Sequence, residues 1–514
     1  MGPASPKKLA QRLRGILHFS KMAPRSRLLA LGLLPLLLLL AGADAAAPPT
    51  KGAETLQRRV LSPPLANGGG FCGDGSPAQY YYAPPPAGSD LAKTWIIYLE
   101  GGAMCFTAEG CEKRLTDPIL AKSFPLTAKG SPAELASAKA GTGDLLSNDP
   151  AHSPFALAHR VHVTYCTQDA HLGGVVKPNN ATFGVHFDGH LNLQGIIDDL
   201  ASDGIEGAER VLLFGMSAGG IGVFGNVDWL QERLPNAAVK GAPAAGFVAP
   251  TGPGTSGPFL EPVADYASFV VGGDAGSAAD IWAIADIWNV TAALPPVARA
   301  VAALGDDWDF SMNQLYPFVE APLYMLQAMY DLLQTCDMGV APCDDFRSSQ
   351  DALDNSTFAA WLAYNGNATS DALSGKSYLA AAENTPAAVD AVTQEWRNQT
   401  FRELMEEKLD RDGVFVANCW AHGVGGGQQF CPSTGPAPTT MGSDVDLCTS
   451  LTGWFFDQDV LHRFIDADRT VGANPICDPI FATTLIATEH SKISPTYDLK
   501  QETAGFVAAM SHDG

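Results

Sequence analysis

Charge is scarce in this 514-residue chain: Asp, Glu, Lys and Arg make up 17% of it. Cations are scarcest, 32 against 55 acidic residues, and seven of the 32 lie in residues 1–47. Beyond that segment 25 basic residues face 54 acidic ones. Such a surface repels phosphate backbones and anionic headgroups, which argues against nucleic acid and anionic membranes as partners. The balance fits a solubility adaptation better than a binding one. Long apolar runs are also lacking. The longest, Leu28 to Ala43, has sixteen residues, short of the roughly 20 that cross a bilayer. No Cys/His spacing reads as a zinc site, so neither metal nor cofactor is expected. There is no internal repeat and no heptad pattern, which excludes solenoids and coiled coils. Hydrophobic residues, at 46%, remain ample for a large core.

What is present begins with an address. Arg25-Ser-Arg27, the apolar run and Ala43-Asp-Ala45-Ala46 have the order of a secretory signal peptide, spanning 1–47 or starting at Met22, with an uncleaved signal anchor as the alternative that the long n-region leaves open. Ten cysteines, an even number, suit disulfides in an oxidising compartment. Cys105 and Cys111 are read as a small disulfide loop. Asn-x-Ser/Thr sequons start at Asn180, Asn289, Asn355, Asn367 and Asn398, as expected of a glycosylated exported surface. The expectation is a secreted monomer.

Residues 48–70 are rich in Pro, Ala and Gly and read as a loosely ordered linker. Tyr80-Tyr-Tyr82, Thr94 to Leu99, Arg160 to Tyr165, Val211 to Phe214, Val239 to Ala245, Pro322 to Gln327 and Val414 to Asn418 read as strands, the last as the final core strand. Helical stretches alternate with them, at Leu193–Leu200, Asn226–Leu234 and Gln394–Asp410. That alternation predicts an α/β fold with a mostly parallel central sheet and helices on both faces. The catalytic domain is placed at 71–480. A cap is expected at about 246–319 and an insertion at about 336–395, with a tail at 481–514.

The chemistry centres on Val211-Leu-Leu-Phe-Gly-Met-Ser217-Ala-Gly-Gly-Ile-Gly222. Gly-x-Ser-x-Gly alone arises by chance in a chain with 52 glycines. A buried strand before it and a helix after it make a nucleophile elbow, with Ser217 at the apex. The helix N-terminus behind the serine supplies N–H groups and positive dipole where an oxyanion would form. Glu100-Gly101-Gly102-Ala103 follows another core strand, where this architecture places its second oxyanion donor. Alone it could be an ordinary tight turn. The candidate donors are the N–H groups of Gly102, Ala103 and Ala218.

A serine hydroxyl needs a base, and the base an orienting carboxylate, in the chain order serine, acid, histidine. Asp331 and His422 each fall just past a strand, in that order. His159 and His162 precede the elbow, and His462 and His490 follow no strand. Asp337, Asp344 and Asp345 lie in the expected insertion, where a solvated role suffices.

At these residues the chain resembles the pectin acetylesterases of plants and microbes together with Notum, over about Cys72 to Asp478. The resemblance rests on Cys72-x-Asp-Gly-Ser-Pro77, Leu99-Glu-Gly-Gly102-x-x-Cys105 and Tyr165-Cys166 with Asp169 and Gly173. It continues in Gly215-x-Ser217-Ala-Gly-Gly220 through Asn226-Val-Asp228, in Tyr330-Asp331 with Gln334, in Asn418-Cys-Trp-Ala-His422 and in Gly453-Trp454 to Asp457. It implies an α/β-hydrolase fold and carboxylic-ester hydrolysis without a cofactor, with Ser217 as nucleophile, His422 as base and Asp331 as acid. Where Notum carries Trp just past the glycine pair, this chain has Ala103-Met104, and His171 stands where Notum has another Trp. The backbone donor survives that change and the aromatic wall of a fatty-acyl pocket does not. A polysaccharide O-acetylesterase is therefore the leading expectation, ahead of a Notum-like deacylase of lipid or protein esters. A non-catalytic binding relative comes third.

Overall fold

The computed structural model describes residues 55–102, 104–116, 121, 125–128, 145–247, 284–305, 312–330, 411–420, 445–458 and 462–465. Among them a nine-stranded sheet forms the centre. In chain order its strands are β1 (Gln57–Val60), β2 (Gln79–Ala83), β3 (Thr94–Leu99), β4 (His159–Val163), β5 (Arg210–Met216), β6 (Ala238–Ala244), β7 (Tyr324–Tyr330), β8 (Gly413–Trp420) and β9 (Arg463–Ile465). Their spatial order is β1-β2-β4-β3-β5-β6-β7-β8-β9. β1 and β2 run antiparallel to their neighbours, and all pairings from β4 to β9 are parallel.

The parallel strands are buried on both faces, so they read as continuous apolar runs rather than alternating ones. In β5, Val211 and Leu213 join one core while Leu212 and Phe214 join the other. The first core also takes helices α2 (Gly189–Asp199), α3 (Ala218–Arg233) and α4 (Pro295–Leu304). The second takes α5 (Leu447–Phe455), whose Trp454 and Phe455 pack against it. A shorter helix, α1 (Ala108–Thr116), follows the turn after β3. Both faces are thus covered, as the alternation of elements requires.

Strand order reverses at β3, whose neighbours are β4 on one side and β5 on the other. Open α/β sheets present their ligand crevice at such a reversal, outside the carboxyl ends of the strands. Leu99 pairs with Gly215, so Glu100-Gly101-Gly102 and Ser217 leave adjacent strands side by side.

Two short strands differ from the sequence reading. Residues 57–60, assigned to a loosely ordered 48–70, pair with Gln79–Tyr82 as the edge strand β1. The strand is mostly exposed, flanked by buried Leu56 and Leu61, so it shows no clear apolar alternation. The strand at 414–418 is not the last one. β9 pairs beyond it, and three residues are too few to carry a periodic signal. The expected signal peptide, the helix at 394–410, the insertion and the tail lie outside the described residues. The described parts of the expected cap, 284–305 and 312–319, place Trp288, Leu294, Val297 and Tyr316 in the first core.

Candidate active site

The elbow is built from short-range sterics. Ser217 has φ 56° and ψ −123°, a conformation costly to any residue with a Cβ. Two bonds hold it there. Its N–H donates to Ala244 O at the end of β6 (2.8 Å), and its carbonyl accepts the first helical bond of α3 from Ile221 N–H (3.0 Å). The turn is tight enough to demand glycine on both sides. A Cβ on Gly215 would lie 2.2 Å from Gly219 O, and one on Gly219 would lie 2.1 Å from Leu99 O. Ser217 itself is half-buried. Ala218 is the first residue of α3, so its N–H has no carbonyl within the helix to bond.

The glycine turn after β3 meets the elbow directly. A Cβ on Gly101 would stand 3.2 Å from Ser217 Cβ. Behind the turn, the buried Glu100 carboxylate accepts from Tyr165 N–H at 2.9 Å. The Glu100 carbonyl accepts from His171 Nε2 at 2.8 Å. A carbonyl only accepts, so that nitrogen carries the proton. Burial pushes His171 down to about 4, which keeps it neutral at physiological pH.

The loop after β4 supports all of this. Gln168, Ala170 and His171 all have φ near 55°. Asp169 stitches the loop together, accepting from Thr167 Oγ1 (2.6 Å), His171 N–H (3.1 Å) and Gly189 N–H (2.8 Å). Burial nevertheless pushes its carboxyl up to about 6. Asn226 of α3 joins the loop to the elbow helix: Nδ2 donates to His171 O (2.9 Å) and Gly222 O (2.8 Å), while Oδ1 meets His190 Nδ1 (2.6 Å). Disulfides Cys72–Cys166 and Cys105–Cys111 brace the two loops. Trp288 Nε1 donates to Cys105 O at 3.0 Å.

Of the six residues assigned from sequence, the structure brings together Ser217, Ala218 and Gly102 at the carboxyl ends of β3 and β5. Ala103, Asp331 and His422 lie outside the described residues. Asp331 is the next residue after β7, and His422 the second after β8, on strands parallel to β5. Two contributors escaped sequence reasoning, Arg114 and Gln168. Arg114 is fully buried and donates to Met104 O (2.7 Å), Gly110 O (2.8 Å) and Gln168 Oε1 (3.0 Å). Its run, Glu112-Lys113-Arg114, looks like solvated helix surface in sequence.

A family model described as pectinacetylesterase matches residues 61–478. The palmitoleoyl-protein carboxylesterase NOTUM of Homo sapiens is 31% identical over 278 residues, 52% of this chain and 50% of that protein. Pectin acetylesterase 4 of Arabidopsis thaliana is 30% identical over 203 residues, 39% of this chain and 46% of that protein. The chain thus spans about half the length of the curated relatives it matches. Among solved structures, the Wnt deacylase Notum from Drosophila is similar, with a TM-score of 0.55 at 21% identity over 82% of this chain and 99% of that one. At that identity the likeness speaks to the fold, which is α/β-hydrolase-like. Strand order, elbow and family match agree, and the chain belongs to the pectinacetylesterase family.

Proposed function

We propose that the chain is a secreted serine hydrolase of carboxylic esters that removes O-acetyl groups from an extracellular polysaccharide. The observation that carries the reading is the backbone of Ser217, held at φ 56° beside the Gly101-Gly102 turn. Strain of that kind persists only where surrounding structure maintains it, and it clusters at catalytic positions. The family match and the relatives' names, carboxylesterase and pectin acetylesterase, support ester chemistry. Two disulfides in the described residues suit an oxidising compartment.

In this reading His422 takes the Ser217 proton as the hydroxyl oxygen attacks the ester carbonyl, and Asp331 holds the imidazole in the needed tautomer. N–H groups of Gly102, Ala103 and Ala218 receive the oxyanion. The tetrahedral intermediate collapses, the C–O bond to the alcohol breaks, and His422 protonates the leaving alkoxide. Water, deprotonated by the same imidazole, then attacks the acyl-enzyme and regenerates Ser217. Losing one oxyanion donor should raise the barrier by roughly 3–4 kcal/mol.

A second reading, a Notum-like carboxylesterase acting on a fatty acyl group, is favoured by the identity to NOTUM over 278 residues. Ala103-Met104 and a buried His171 in place of aromatic rings favour the short acyl group. The test is a series of p-nitrophenyl esters from acetate to palmitate, with wild type and Ser217→Ala. A Ser217-dependent optimum at acetate or butyrate is expected. An optimum at eight carbons or more selects the second reading. Turnover unchanged in Ser217→Ala would end the serine mechanism.

A further inference from the structure

Gln168 follows β4 with its side chain fully buried. Its φ of 56° would suit glycine better than a residue with a Cβ. Something therefore favours this side chain at a cost to the backbone. Arg114 Nε donates to Gln168 Oε1 at 3.0 Å. A guanidinium can only donate, so the carboxamide oxygen must face it and the nitrogen must face away. Chemistry rather than assignment thus settles which way the amide points.

That nitrogen faces the glycine turn. Nε2 stands 3.8 Å from where a Cβ on Gly102 would be. It is buried and meets no acceptor. An unmet buried donor is costly, and native structures rarely keep one without a use. The peptide that follows Gly102 in the chain carries the N–H of residue 103, one of the expected oxyanion donors. A trans peptide carries its N–H and C=O on opposite sides. Turning the N–H of residue 103 toward the serine therefore turns the Gly102 carbonyl away from it. Gly102 is also where a Cβ would strike the Tyr165 ring at 2.8 Å, so the residue best able to rotate sits at this hinge.

The geometry points to Gln168 as a positioning residue of the oxyanion turn: Nε2 donates to the Gly102 carbonyl when the following N–H is aimed at the substrate oxygen. Arg114 fixes the orientation of that amide and holds the far side of the turn through Met104 O at 2.7 Å. Gln168 closes the set, its own carbonyl accepting from Cys105 N–H at 2.9 Å. The assignment rests on the serine-esterase reading. It makes the turn an adjustable part, set by a side chain that never touches substrate.

The test is Gln168→Glu, which keeps an oxygen for Arg114 and removes the donor at nearly constant shape. For p-nitrophenyl acetate kcat should fall about tenfold to a hundredfold with KM within about threefold. The melting temperature should stay at or above that of wild type, because the new carboxylate faces Arg114. Affinity for a trifluoromethyl ketone, which forms a tetrahedral adduct on the serine, should fall in parallel with kcat. Gln168→Met, without donor or acceptor, decides the matter if the Glu variant does not fold. Wild-type kcat in either folded variant overturns the assignment, as does a change confined to KM. Failure of both to fold makes Gln168 part of the scaffold and overturns it too. Ser217→Ala, assayed alongside, separates the two readings. If that variant is dead while Gln168→Glu matches wild type, only this inference falls. If it remains active, the serine mechanism falls with it.

Discussion

At the scale of single residues the structure concentrates backbone strain at one position. Ser217 keeps φ at 56° because Ala244 O and Ile221 N–H grip its backbone from both sides. Ser217→Ala retains a Cβ and hence the strain, whereas Ser217→Gly releases it. Strain of about 1–3 kcal/mol outweighs the roughly 0.5–1 kcal/mol of extra unfolded-state freedom that glycine brings. Ser217→Gly should therefore be the more stable of the two variants, by about 1 kcal/mol in urea unfolding. Equal midpoints would mean that the elbow stores no strain.

Elements matter through where their ends are tied. The chain enters β7 through a turn clasped by Asp228 of α3, whose carboxylate accepts from Glu320 N–H (2.8 Å) and Ala321 N–H (2.7 Å). Next to it, Asp412 before β8 accepts from Leu323 N–H (3.0 Å) and Tyr316 Oη (2.6 Å). The elbow helix thus sets the entry of the strand that leads to Asp331. Asp228→Ala strips both donors of their acceptor and should cost about 2 kcal/mol or more, read as a lower urea midpoint. An unchanged midpoint would show that solvent replaces the carboxylate freely.

The same contrast between local and distant contacts explains what could be read in advance. β3, β5 and β6 are buried on both faces, and a run such as Val211 to Phe214 shows this directly. The elbow at Ser217 and the turn at Gly102 were legible as local patterns, glycines beside a buried apolar run, although only Gly215 owes its steric need to a near neighbour, Gly219, while Gly219 owes it to Leu99 O and Gly102 to the Tyr165 ring. The disulfide expected between Cys105 and Cys111 is present, while the partner of Cys72, Cys166, lies 94 residues away and no spacing rule names it. Arg114 and Gln168 meet across 54 residues, so neither carries a signal in its own neighbourhood. β1 stayed hidden because its partners, Gln79 to Tyr82, define it more than its own residues do.

At the scale of the whole molecule, buried imidazoles tie stability to pH. Burial pushes His159, His171 and His190 each down to about 4 from the ordinary 6.5. Between those values the unfolded chain binds protons that the folded one refuses, so stability rises with pH across that window. Asp169 acts in the opposite sense. Its carboxyl, up at about 6 from 3.8, stays protonated in the folded state while the unfolded chain releases the proton. Asp188, also raised by burial, has the same sign. Among the described residues three lowered imidazoles outweigh two raised carboxyls, and the window of the imidazoles reaches higher in pH. The melting temperature should climb from pH 4.5 to pH 7, measured by calorimetry at constant ionic strength. A flat or falling profile would show that the carboxyls dominate.

Asn226 has one more consequence, for anyone exchanging parts between relatives. It binds the elbow helix to the loop beneath Glu100, and Arg114 binds that loop to the segment after the glycine turn. Chimeras that transplant residues 100–116 alone would sever these ties. A graft meant to retune acyl preference has to carry 165–174 with it, as one inseparable cassette.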